Sequence, residues 1–373
     1  MGRLSSLMLT ALTNATLFTG TKKFRHKALL FDETGIKDII DPGEIPEEAI
    51  LVDGDGAFVS PGLIDLQIYG AGGKLFSAQP NAEALQVINE TIVQSGTTGF
   101  LITLATNATP VYREALATVR YNLHPALLGV HLEGPFINPE KRGAHLEEHI
   151  KAPTADEVQA MCEEGKGVLK MMTLAPEVTG TAIIQLLINS GIIVSAGHSN
   201  ATFEEGRKGF DEGITAVTHL FNAMSPLHHR ATGLPGAAFL SAPYASIIAD
   251  GIHVDYSVVS FSKKVLADKL FLITDAVAES TGVYTHVEKA DRFTLEDGTL
   301  SGSKLTLLQA VKNCVQHCGI ALDEALRMAS LYPANLLGRT DIGRIEPGAK
   351  ANLLLFDESF NVKAVYLESK LVK

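Results

Sequence analysis

The sequence predicts an α/β fold, a (β/α)8 TIM barrel with a small β-sandwich domain formed by the N- and C-terminal segments. Three observations lead there. Between residues 59 and 276, eight short apolar runs rich in β-branched residues recur, most of them followed by a helical pattern. Strands that alternate with helices pair in parallel, and eight such units over ~220 residues match a closed barrel in count and size. The two chain ends differ from this middle, reading as β runs and turns without helices. No G-x-G-x-x-G follows the first strand, which counts against a doubly wound open sheet.

Residues 9–58 contain the runs ATLFTG, KALLFDE and AILVDG, punctuated by turn residues such as Gly35, Pro42 and Gly54. The barrel strands are expected at residues 59–67, 97–105, 126–134, 168–176, 192–199, 214–222, 245–253 and 269–276. The tail, GRIEPGAKANLLLFDESFNVKAVYLESKLVK, reads as three strands around turns. Two β-rich ends around one long middle predict a single accessory domain from residues 1–58 and 345–373, beside a barrel spanning 59–344.

The 373 residues, 46% of them hydrophobic, suffice for one large core. A net charge of −11 argues against a nucleic-acid partner, which calls for a basic face. An anionic small molecule stays possible, because local charge in a cleft outweighs the total. Cys162, Cys314 and Cys318 provide no disulfide framework, and the last two read as buried thiols on one helix face. The start, MGRLSSLMLTALTN, is weak as a signal peptide. No run approaches the ~20 apolar residues of a spanning helix, so no membrane partner and a cytoplasmic location are expected.

Polar residues fall at the C-terminal ends of the predicted strands. Gln67 ends the first, Glu133 the third, His198 the fifth, His219 the sixth, His253 the seventh and Asp275 the eighth. In a barrel those ends converge on one face, where the βα loops build a site. One Glu and two His form a natural zinc ligand set, leaving a fourth position for water whose pKa drops toward ~7. Asp275 is then the candidate proton acceptor and donor; its alternative reading is a helix cap. His145, on the loop after the third strand, is a candidate for polarising a carbonyl, or a structural histidine. Arg230 and His253 are candidates for an anion, since Arg suits bidentate phosphate contact. His149, His228 and His229 read as solvated, and Asp65 as support for the first strand-end turn.

At these residues the chain resembles the amidohydrolase superfamily, and within it the N-acetylglucosamine-6-phosphate deacetylases. The matching segments are PGLIDLQIYGAGG, GTTGFLITLAT, GVHLEGPFINPEKRGAH, LAPE, AGHSNA, THLFNAMSPLHHR, IADGIHVD, LITDAVA and SGSKLTL. HLEGPF together with HLFNAM is the most specific pair. The resemblance implies that Glu133, His198 and His219 are metal ligands and that Asp275 activates water and protonates the departing amine. It implies that His145 orients the substrate and polarises the acetyl carbonyl. Asn222 and Ala223 would contact the phosphosugar, and His253 and Arg230 the phosphate, with Arg230 entering from the neighbouring subunit of a homodimer. Backbone at Ala144 and at Leu305, Thr306 and Leu307 would close over the substrate.

Many members of the superfamily carry His-x-His at the end of the first strand and bind two metals. Here the site reads Gln67-Ile68-Tyr69, and TLAPE lacks a lysine for a carbamylated bridge. One divalent ion per subunit is expected, zinc first with Fe, Mn or Co open, and Gln67 near the substrate or water. The competing readings are the galactosamine epimer as substrate, an amidohydrolase acting on a cyclic amide or nucleobase, and a metal-stabilised binding protein. The nucleobase and cyclic-amide enzymes would favour the missing histidine pair and have no use for an Arg-plus-His phosphate site. A binding protein would favour a closed four-ligand metal and need no Asp275.

Overall fold

The computed structural model describes residues 8–282 and 284–373. The N-terminal stretch at residues 1–7, half of the segment weighed above as a signal peptide, lies outside the described residues. Eight parallel strands follow one another in chain order: β1 (Leu63–Ile68), β2 (Thr97–Leu104), β3 (Leu127–Glu133), β4 (Leu169–Leu174), β5 (Ile193–Ala196), β6 (Ala216–Val217), β7 (Tyr244–Ile247) and β8 (Leu270–Leu272). The ring closes where Ile68 bridges Ala276, with Tyr69 N–H donating to Ala276 O at 2.9 Å. These strands are buried on both faces, as expected for continuous Val/Ile/Leu runs in a parallel sheet covered by helices.

Helices α1 (Ala82–Gln94), α2 (Thr109–Tyr121), α3 (Ala155–Glu164), α4 (Thr181–Asn189), α5 (Phe203–Asp211), α6 (Gly233–Ser241), α7 (Tyr256–Leu266) and α8 (Leu307–His317) surround the ring. Their starts follow local chemistry. The Asn81 side chain accepts the Ala84 N–H of α1, and Thr202 with Glu205 forms a capping box on α5. Two short helices, α9 (Leu322–Met328) and α10 (Leu331–Leu336), follow α8. Cys162, Cys314 and Cys318 are all buried free thiols.

Two further sheets sit at the chain ends. Four strands run in the order Gly35–Ile40, Ala28–Asp32, Thr10–Thr13 and Ile50–Asp53. Six run Lys370–Leu371, Val362–Leu367, Leu353–Phe356, Phe58–Pro61, Thr16–Phe18 and Lys23–Phe24. Their facing side chains form one core: Leu12, Leu29 and Phe31 from the first sheet meet Leu17, Val59, Leu353 and Tyr366 from the second.

Three differences from the sequence reading have physical causes. The expected strand at residues 59–67 is two strands, because the chain crosses from sandwich to barrel at Gly62. A Cβ there would lie 2.0 Å from Thr98 Oγ1, so only glycine permits the crossing. Strands β5, β6 and β8 stop short of the apolar runs, since His198 (φ 48°), His219 (φ 33°) and Asp275 (φ 53°) adopt left-handed backbone and leave the ladder. After β8 the chain forms an antiparallel insertion (Val287–Glu288, Arg292–Thr294, Leu300–Ser303) before α8, which the apolar pattern did not reveal.

Candidate metal centre and active site

The strand ends bring Glu133, His198, His219, Asp275 and Gln67 together. Glu133 Oε1 lies 2.9 Å from His219 Nε2 and 3.2 Å from His198 Nε2, and the two Nε2 atoms are 3.1 Å apart. The three prospective ligand atoms lie within 4.8 Å of one another, all buried. His198 Nδ1 is 2.8 Å from Lys141 O, which can only accept, so the proton sits on Nδ1 and Nε2 presents a lone pair. Burial alone would push the Glu133 carboxyl up, but the neighbouring histidines hold it well below its usual range. Burial would likewise lower His219, yet the Glu133 carboxylate raises its proton affinity. The pocket therefore favours positive charge where the lone pairs converge, and a divalent cation meets that demand. This donor set fits one metal.

Gln67 joins the two carboxylates of the site. Its Nε2 lies 3.0 Å from Glu133 Oε1 and 2.8 Å from Asp275 Oδ1, so one amide donates to both carboxylates. Asp275 is half-buried in the cavity lining, and burial lifts its pKa to about 6, with His219 opposing. Below the closure, Asp65 accepts from Thr274 Oγ1 at 2.6 Å and from the Gln67 backbone, tying β1 to β8.

His145 has an assigned tautomer. The Thr106 backbone N–H donates to its Nδ1 at 3.1 Å, so the ring hydrogen is on Nε2, 3.2 Å from Glu133 Oε2. Burial lowers its pKa to about 4, which keeps it a neutral donor. A polar layer lies beneath the ligands. His131 Nδ1 donates to Leu66 O at 3.0 Å, so its Nε2 accepts from Thr173 Oγ1 at 2.7 Å. Thr173 in turn accepts from Thr218 at 2.6 Å, and Thr218 from Ser195 at 2.6 Å. This chain of hydroxyls braces β3 to β6 directly under Glu133 and His219.

The cavity over these groups is about 380 Å³, within the range of small-molecule sites. Ala144, His145, Asn222, Ala223 and His253 line it. Asp250 Oδ2 accepts from His253 Nδ1 at 2.6 Å, which fixes the ring and leaves Nε2 for a ligand. Arg230 and the Leu305 to Leu307 segment lie outside this lining. Arg230 sits exposed at the tip of a turn bridged by His228 and Ala231, outside the cavity lining. Leu305, Thr306 and Leu307 line a separate cavity of about 170 Å³ with Asp65 and Thr274. The cause is the Ala276–Ser303 bridge, after which the chain turns behind β8.

Sequence reading missed several residues. Glu177, in the LAPE segment, accepts from Ser199 Oγ at 2.7 Å, the Asn200 N–H at 2.6 Å and Asn138 Nδ2 at 3.0 Å, clamping the loops on both sides of His198. That motif was the available signal. Tyr284, His286 and Ser301, from the insertion, also line the cavity, and nothing in their segment marked them.

A barrel with a buried Glu/His/His cluster and an inward aspartate at the eighth strand defines a metal-dependent hydrolase, and comparison agrees. The amidohydrolase family model matches residues 58–372, and the chain belongs to that family. A relative from Haemophilus influenzae, an N-acetylglucosamine-6-phosphate deacetylase, is 34% identical, covering 96% of this chain and 98% of its own. An N-acetylgalactosamine-6-phosphate deacetylase from a Shewanella species is also 34% identical, over 83% of this chain and 82% of its own. The crystal structure of N-acetylglucosamine-6-phosphate deacetylase from Pasteurella multocida superimposes with a TM-score of 0.95 at 36% identity, covering 98% of this chain and 99% of that one.

Proposed function

We propose that this protein hydrolyses N-acetyl-D-glucosamine 6-phosphate to glucosamine 6-phosphate and acetate, using one divalent ion, zinc, held by Glu133, His198 and His219. The observation that carries the reading is the meeting of that triad with Asp275 and His145 in one enclosed cavity. Near full-length relatives with this activity support the substrate.

A bound divalent ion would supply Lewis acidity and water of lowered pKa. The residues do the rest. Gln67 holds Asp275 Oδ1, which leaves Oδ2 to take a proton from the attacking water and return it to the departing amine. A pKa raised by burial suits a group that must do both near neutrality. His145 Nε2–H donates to the acetyl carbonyl oxygen, where charge develops. Asn222 and Ala223 line the sugar's path, and His253, pinned by Asp250, faces the phosphate. Arg230 joins the phosphate from the neighbouring subunit of a homodimer, which accounts for its exposed place outside its own chain's cavity. Residues 1–58 and 345–373 serve as an accessory domain to the barrel. No helix among the described residues is long and apolar enough to cross a membrane, and a cytoplasmic enzyme is the proposed setting.

The 4-epimer, N-acetylgalactosamine 6-phosphate, is the second reading, favoured by the Shewanella relative. Steady-state assays of metal-analysed protein on both 6-phosphates decide between them. A higher kcat/KM for the glucosamine form is expected; the opposite order replaces the substrate, and turnover of neither overturns the reading.

A further inference from the structure

The insertion after β8 is built as a fixed wall. Its last strand continues the barrel sheet, because Ser303 N–H donates to Asp275 O at 3.0 Å and Ser303 Oγ donates to Thr274 O at 2.5 Å. Gly302 (φ 146°) makes this fit possible: a Cβ there would lie 2.5 Å from Val277 Cγ1 and 3.1 Å from Asp275 O. At its other end, the Tyr284 hydroxyl donates to Thr106 O, beside His145. The insertion thus spans the cavity mouth from β8 to β2.

One polar group on this wall has no task in the reaction described above. His286 is only 5% exposed, yet lines the cavity. Its Nδ1 lies 2.8 Å from Ser301 Oγ on the last strand of the insertion, and its Nε2 has no hydrogen-bond partner among the described residues. Burial lowers its pKa to about 4, so the ring is neutral at pH 7 and has one donor and one acceptor nitrogen. A ring nitrogen that lines a ligand cavity without a protein partner is free to be completed by a hydrogen bond from the ligand.

We propose that His286, oriented by Ser301, is a specificity-determining residue that hydrogen-bonds a ring hydroxyl of the amino-sugar substrate through Nε2. The inference rests on the deacetylase reading and extends it to the sugar ring. With the amide held at the metal centre and the 6-phosphate at His253, the sugar ring lies within the cavity they share, and the insertion lines that cavity through His286 and Ser301.

The test pairs side-chain removal with hydroxyl removal. His286→Ala, Ser301→Ala and His286→Gln are assayed on N-acetylglucosamine 6-phosphate and on its 1-deoxy, 3-deoxy and 4-deoxy analogues. For His286→Ala, kcat/KM on the full substrate falls roughly 10-fold, the scale of one hydrogen bond with a buried partner left unmade. One deoxy analogue loses about as much with the wild-type enzyme and loses little more with His286→Ala. His286→Gln, which retains a donor and an acceptor, recovers part of the loss, and Ser301→Ala shows a smaller version of the same pattern. A hairpin strut without substrate contact would instead lower the melting temperature and slow all analogues equally. Additive losses for every analogue overturn the proposal. An inactive wild-type enzyme would overturn the deacetylase reading itself, which keeps the two failures apart.

Discussion

Arg230 is the sharpest test of how the site is completed, because the structure leaves it outside the cavity of its own chain. If the guanidinium serves the neighbouring subunit, Arg230→Ala removes a charge-assisted phosphate contact of about 2–3 kcal/mol, roughly 30- to 150-fold in KM. The unphosphorylated sugar never engages the arginine, so its slow turnover stays the same. Chains carrying Arg230→Ala are then mixed in equal amounts with chains carrying Asp275→Asn and allowed to exchange. Random pairing makes about half of the dimers mixed, and in an isologous dimer each mixed pair regains one intact site of two. Roughly a quarter of all sites should therefore recover wild-type turnover. Formation of the mixed dimer is checked by native mass spectrometry. No recovery, with mixed dimers demonstrated, would show that Arg230 acts within its own chain or has no part in binding.

Other expectations follow from the same geometry. Elemental analysis should find about one tightly bound divalent ion per chain, because Gln67 stands where a histidine pair would recruit a second; two ions, each required for activity, would contradict this. His198→Ala or His219→Ala should lose the metal and turnover while the circular dichroism spectrum stays native. Asp275→Asn should keep the metal and bind substrate, with kcat down by ~10²–10⁴ or more; a variant within a few-fold of wild type would remove Asp275 from proton transfer. Gly302→Ala should destabilise the protein by roughly 1–3 kcal/mol, as overpacking does, and lower kcat, because the insertion would be pushed from Asp275. Unchanged melting temperature and kcat would mean that the insertion packs independently of β8.

Much of the fold was legible because a buried parallel strand leaves a clear trace, a short apolar β-branched run followed by a helical period. The same trace overran the ends of β5, β6 and β8. Hydrophobicity continues through GHS, THL and ITD, but the backbone turns at His198, His219 and Asp275, and φ is invisible to a pattern of apolar residues. The cluster of Glu133, His198, His219 and Asp275 was legible from strand-end position alone, since barrel topology brings such ends together. The insertion was not. Its strands are two to four residues long and its segment, ESTGVYTHVEKADRFTLEDGTL, is polar without periodicity, so Tyr284 and His286 gave no sign of facing the cavity. Leu305 to Leu307 lie outside the cavity lining for a related reason: one bridge, Ala276 to Ser303, decides on which side of β8 the next residues fall.

The pairing of Phe58–Pro61 with Leu353–Phe356 has a consequence for how the chain is made. Pro61 leads directly into β1, the strand that carries Gln67, yet its partner strand emerges from the ribosome only after the whole barrel has been synthesised. The amino-terminal strands must wait, with an open apolar edge, through the translation of the entire barrel, and such distant pairings are slow to form. A nascent or truncated chain ending before Leu353 thus presents that edge to other molecules. The segment from Leu353 onward, remote from the chemistry, acts as the latch on folding, and its loss is expected to show first as aggregation during synthesis.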